Sequence, residues 1–109
     1  MMLDIDTVKQ HCRIEADFTD DDNLLGIYTG AAMRYVETWT RRTLFDNENS
    51  SGYADAEDPI LLGDDVKAAM LLLIGNWYEN RESVVIGDTA AAVPFAVEAL
   101  LQPYRIYGL

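Results

Sequence analysis

The chain has 109 residues, 50% hydrophobic and 25% charged, with a formal net charge of −11. That composition describes one globular domain, 1–109, able to bury a core of its own; it excludes a disordered chain, and no apolar run reaches the roughly 18 residues of a membrane span. The charge repels phosphate, which disfavours tight binding to nucleic acid or to an anionic membrane, and leaves two readings open: solubility, or a wall past which DNA slides without sticking.

Met1-Met2-Leu3-Asp4-Ile5-Asp6 lacks the basic and apolar regions of a signal peptide, so none is expected. Ile5, Val8 and Cys12 recur at helical spacing and predict a short helix from about Asp4 to Cys12. Arg13 to Phe18 form a connection. Thr19, three residues before Asp22, is a weak capping-box signature, and Asp20, Asp21 and Asp22 suit the positive end of a helix dipole. Leu25, Tyr28, Ala32, Tyr35, Val36 and Trp39 share one face of a helix from about Asp20 to Arg41, on which Glu37 is spaced to pair with Arg41.

Residues 46–58 are polar, acidic and aperiodic, which predicts a loop or mobile hairpin; Pro59-Ile60-Leu61-Leu62 then returns to the core. Gly63 or Asp64 caps a central helix whose main face is Val66, Ala69, Met70, Leu73, Ile74, Trp77 and Tyr78. Ala68, Leu71 and Leu72 make its middle apolar all round, which predicts a central position, covered in part by partner subunits. Ser83 to Ala92 read as a second loop, with Val84-Val85-Ile86 as a short strand. Pro94 opens a last helix with Phe95, Ala99 and Leu100 inward, and Pro103 stops it. The fold class is therefore all-α: a small bundle of about four helices with two long loops and an extended C-terminal tail, Tyr104 to Tyr107.

Chemistry-bearing groups are sparse. The single Cys12 cannot form an internal disulfide and fits a reducing compartment without demanding one. His11 is adjacent to it, but helix neighbours point about 100° apart, so core and surface roles are favoured over a catalytic pair. The Asp17, Asp20, Asp21, Asp22 cluster lacks the alternating spacing, turn glycine and terminal glutamate of a calcium loop, and helix-start chemistry explains it. Trp39, Trp77 and Tyr78 fit core positions better than a ligand pocket. No catalytic residue, metal site or cofactor is expected, and the chain reads as a non-enzyme.

Four pieces carry a resemblance. Asp6-Thr7-Val8-Lys9-Gln10-His11-Cys12-Arg13-Ile14-Glu15 resembles an opening helix of the kind leucine/valine-lysine-x-x-leucine-arginine-isoleucine. Asp21 to Ala32 resembles an acidic start and alanine pair of a second helix. Val66 to Glu82, ending Tyr78-Glu79-Asn80-Arg81-Glu82, looks like a central helix. Val93-Pro94-Phe95 through Gln102-Pro103-Tyr104-Arg105 is similar to a closing helix. Together they resemble the head–tail connector (adaptor) proteins of long-tailed double-stranded DNA phages and prophages. Where that family commonly has threonine-glycine-arginine after its second helix, this chain has Thr40-Arg41-Arg42, and His11-Cys12 replaces a leucine-containing step.

The resemblance implies a structural virion protein, made in the host bacterial cytoplasm and placed at the head–tail junction. It implies a closed homo-oligomeric ring of about twelve copies below the portal protein. The ring continues the DNA channel, lets double-stranded DNA pass without specific binding, and docks a tail-completion or stopper protein. Trp77, Tyr78, Arg81, Phe95, Tyr104, Arg105 and Tyr107 are the candidate interface residues, being aromatics and arginines near the half of the chain that reads as underburied. The alternative is an acidic protein-binding module such as a DNA mimic, although carboxylates gathered at helix starts and in loops do not make the regular array a mimic needs.

Overall fold

The structure is a computed structural model; it describes residues 3–79 and 88–106, of which 88–94 are described by their backbone alone. Helix α1, Ile5–His11, opens with the Val8 amide on the Asp4 carbonyl and buries Val8 and Lys9. It ends in a Schellman turn. The Ile14 N–H donates to the Lys9 carbonyl at 2.8 Å and the Arg13 N–H to the Gln10 carbonyl at 3.2 Å, which places Arg13 at φ 60°.

Helix α2, Asp22–Thr40, starts at Asp21, whose carbonyl takes the Leu25 N–H. The Thr19 capping box does not form: Thr19 contributes its backbone carbonyl, to the Asp22 N–H at 3.2 Å, and no side chain caps the helix. Leu25, Ala32 and Val36 are buried, with Tyr28, Tyr35 and Trp39 packed partly buried at the same core, as the periodicity predicts. The helix ends on Arg41, left-handed at φ 61° and ψ 34°. That turn carries the chain back over α2, so Glu37 Oε2 accepts the Leu44 N–H at 2.9 Å instead of pairing with Arg41.

The all-α expectation needs a correction here. Strands β1, Thr43–Phe45, and β2, Pro59–Leu61, form a parallel pair in the register Thr43↔Pro59, Leu44↔Ile60, Phe45↔Leu61. Leu44 and Ile60 bury against the helices while the intervening segment stays at the surface. That segment is the loop of the two expected alternatives, not a hairpin. Successive turns bring the Tyr53 ring onto Phe45, centroids 5.6 Å apart and edge-on.

Helix α3, Asp64–Glu79, takes Gly63 as its cap, since the Gly63 carbonyl accepts the Lys67 N–H at 2.9 Å. Val66, Ala69, Met70, Leu73 and Ile74 are buried, the face read from sequence. Its position accounts for its composition. It lies between α2 and α4 and also touches α1, and Leu71 and Leu72 are half-buried inside the chain itself. The chain forms a slab with extents of 38 × 33 × 18 Å. An 18 Å thickness is under two helix diameters, so few residues are far from the surface.

Helix α4, Asp88–Leu101, departs from the expected start at Pro94. Residues 88–92, expected in a loop, are helical, and Pro94 lies inside the helix, where it has no N–H to give the ladder. The expected strand Val84-Val85-Ile86 lies outside the described residues. The buried face also differs: Val97 and Leu101 point inward and Leu100 packs partly buried against the core as expected, but Phe95 is 71% exposed and Ala99 is exposed. Phe95 and Val97 lie about 200° apart around a helix, so only one can face the core. The chain then tightens into a short 3-10 helix, Gln102–Tyr104, in place of an extended start to the tail; Arg105 is extended.

Candidate docking surface

The C-terminal segment is held where the end of α2 meets the start of α3. Thr40 is fully buried; its hydroxyl donates to the Val36 carbonyl at 2.6 Å and its own carbonyl accepts the Ile106 N–H at 3.0 Å. Arg42 Nε donates to the Tyr104 carbonyl at 2.5 Å. The Tyr104 hydroxyl donates to Asp65 Oδ2 on the first turn of α3. That bond, then burial and the Asp65 charge, push the Tyr104 phenol above its ordinary value. The Arg105 guanidinium lies 4.5 Å from the centroid of the Trp39 ring, a cation–π contact.

A second group gathers at the far end of α3. Trp77 packs on Tyr28 with centroids 5.8 Å apart, and the Tyr78 hydroxyl donates to Asp21 Oδ2 at 2.6 Å. Beside it, Lys9, 3% exposed, sends Nζ to Asp22 Oδ1 at 2.9 Å and to the Ala16 carbonyl at 3.2 Å. This ties α1, the following connection and the start of α2 together. His11 packs on Gly75, where an added Cβ would sit 2.8 Å from the imidazole Nε2. Burial, and then the Glu79 charge, push the Cys12 thiol up, away from the reactive thiolate.

Four of the sequence candidates thus fall into two groups. Tyr104 and Arg105 sit near Asp65, and Trp77 and Tyr78 about 20 Å further along α3. All four are half-buried and engaged within the chain. Phe95 alone stands largely exposed, and Arg81 and Tyr107 lie outside the described residues. Sequence reasoning missed Ile27, 59% exposed on α2, and Phe18, 41% exposed. It also passed over Arg42 and Asp65, whose roles need a partner distant in sequence. Among the described residues no three His, Cys, Asp or Glu side chains converge as metal ligands, and no helix is long and apolar enough to cross a membrane.

Fold and surface together define a small acidic helical slab with single large apolar residues, Phe95, Ile27 and Phe18, facing outward, and with no group of metal ligands among the described residues. Residues 2–105 match the family described as Phage gp6-like head-tail connector protein. The chain belongs to that family, and with it to the structural proteins that join phage head and tail. A solved structure, the crystal structure of bacteriophage HK97 gp6, superposes with a TM-score of 0.60 over 96% of this chain and 94% of that one, at 22% sequence identity. It shares the fold. No curated protein matches the chain.

Proposed function

We propose that this chain is the repeating subunit of a ring at the head–tail junction, seated below the portal protein and continuing the DNA channel toward a tail-completion or stopper protein. Its role is mechanical and involves no reaction. It assembles in the host cytoplasm and ends in the virion. The family match over residues 2–105 carries the reading. The surface agrees with it: Phe95 and Ile27, exposed on two different helices of an 18 Å slab, are the kind of contact a ring repeats between neighbours. With −11 per subunit, a ring of about twelve carries roughly −130 formal charges, and DNA passing such a wall finds few places to adhere.

The test is a mass determination over a concentration series, with electron micrographs of the same samples. Closed rings support the reading. A chain that stays monomeric, and is not recruited by portal protein, overturns it in favour of an acidic binding module.

A further inference from the structure

The two edges of the small sheet are treated differently. In the observed register the Thr43 N–H donates to the Asp58 carbonyl and the Leu62 N–H to the Phe45 carbonyl, each at 3.0 Å. Leu44 therefore turns its backbone groups away from β2, while Pro59 and Leu61 turn theirs away from β1. The outer edge of β1 is closed by Glu37, which accepts the Leu44 N–H. The outer edge of β2 is open: the Pro59 carbonyl and the Leu61 N–H have no partner among the described residues.

The free groups have a direction. A carbonyl at residue 59 and an N–H at residue 61 fit the N–H and carbonyl of one residue lying opposite Ile60, which is the parallel ladder. An antiparallel strand would need both groups of one residue. Pro59 has no N–H, and the Leu61 carbonyl already accepts the Gly63 N–H at 2.9 Å.

A cleft of about 440 Å³ is lined by Pro59, Ile60 and Leu61 of this strand together with Arg42, Tyr53, Gly63 and Tyr104. The Arg42 guanidinium is fixed there through Nε, and its terminal nitrogens have no partner among the described residues. A half-buried guanidinium with its terminal donors free is matched by a carboxylate. We propose that β2 is a docking edge for an extended segment of a partner protein, which adds as a third strand parallel to β2 and sets an acidic side chain on Arg42. The residue opposite Ile60 shares its core-facing side and is apolar. Its neighbours share the face of Pro59 and Leu61, and one of them is the acid. An isolated subunit presents this edge, so the inference does not depend on the ring.

The test uses the full chain, labelled with nitrogen-15, and a capped pentapeptide with a central valine flanked by glutamates and then threonines. Physiological salt screens the remote carboxylates. The expected result is a saturable shift centred on the Leu61 amide. Binding weakens by about tenfold when the central valine is N-methylated, when both glutamates become glutamine, or in Leu61→Pro, which removes the outward N–H. A spin label on the peptide N-terminus broadens residues near Asp58 more than those near Gly63. An unmoved Leu61 amide at millimolar peptide overturns the proposal. So does an N-methylated peptide that binds like its parent, a reading that survives even if Leu61→Pro does not fold. The opposite broadening pattern overturns the parallel direction.

Discussion

Arg42 and Tyr104, 62 residues apart, are joined by one side-chain donor on a main-chain carbonyl. Tyr104 gives its hydroxyl to Asp65, Arg105 covers Trp39, and Ile106 donates to Thr40. Three of these contacts fasten residues 104–106 to the point where α2 turns toward β1, and the fourth fastens them to the first turn of α3. The same arginine follows the left-handed residue that makes the turn, so the turn and the fastening share one local structure.

Replacing Arg42 should therefore act at a distance. Arg42→Ala removes a charge-assisted bond to a part-buried carbonyl and should cost about 1–3 kcal/mol in urea unfolding. Amide exchange at Ile106 should quicken by more than the global loss explains, because the tail detaches before the helices open. Arg42→Lys should recover little, since an ammonium cannot place a planar Nε donor.

Arg41 occupies φ 61°, a conformation costly for a side chain with a Cβ and nearly free for glycine. Arg41→Gly should raise stability by about 0.5–1 kcal/mol, read as a higher urea midpoint at unchanged slope. A lower midpoint would mean that the arginine side chain makes a compensating contact. Arg41→Val should lower it, because a β-branched residue tolerates this region worst.

The left-handed turn at Arg41 was not read from the sequence, which placed Arg41 in the helix, although the resemblance marked it as a position where the family commonly has glycine. The main faces of α2 and α3 were readable, because their apolar residues repeat at helical spacing. The rotation of α4 was not. Alanine-rich and apolar on most sides, it has no polar stripe to orient it, and the bulk of Phe95 suggested the wrong face. The β1–β2 pair was hidden for another reason: three-residue strands carry no measurable alternation, and their pairing depends on the turn at Arg41. The burial of Lys9 was not read from the sequence, since nothing local announces an acid thirteen positions on. The interface candidates were chosen by residue type, which could not reveal that Tyr78, Tyr104 and Arg105 already have partners.

The Tyr104–Asp65 contact predicts an alkaline limit to stability. The folded chain holds the phenol proton more tightly than the unfolded chain, so the contribution is whole below the ordinary tyrosine pKa of about 10 and is lost as pH rises through the raised folded value. Cys12 and Tyr35 are shifted the same way, so the comparison must be with Tyr104→Phe and not with pH alone. The difference in melting temperature between the two proteins should be constant from pH 7 to about 9 and shrink above about 10. A difference that stays flat through that range would show that Asp65 does not hold the proton.

Lys9 is the most deeply buried cation described, and its partner Asp22 is 41% exposed. The two ends of the bridge should therefore respond unequally. Lys9→Ala removes both the ion pair and the bond to Ala16 and opens space beneath the α1–α2 connection; a loss of about 2–4 kcal/mol is expected. Asp22→Asn keeps the shape and leaves the ammonium its carbonyl partner and some water; about 1 kcal/mol is expected. Equal losses, measured by calorimetry, would mean that the charge pair alone matters and that the packing of the lysine stem does not.

The orientation of α4 makes the sharpest contrast. Val97 is fully buried and Phe95 is 71% exposed two residues earlier, on the opposite side of the same helix. Val97→Ser should destabilise the isolated subunit by about 1–3 kcal/mol by placing a hydroxyl and a void in the core. Phe95→Ser should change its stability by less than about 0.5 kcal/mol. If the exposed ring is a contact between neighbours, that second substitution should instead reduce assembly, measured as the mass of the oligomer at fixed concentration. An oligomer unchanged by Phe95→Ser would take Phe95 out of the interface and leave Ile27 as the next exposed side chain to test.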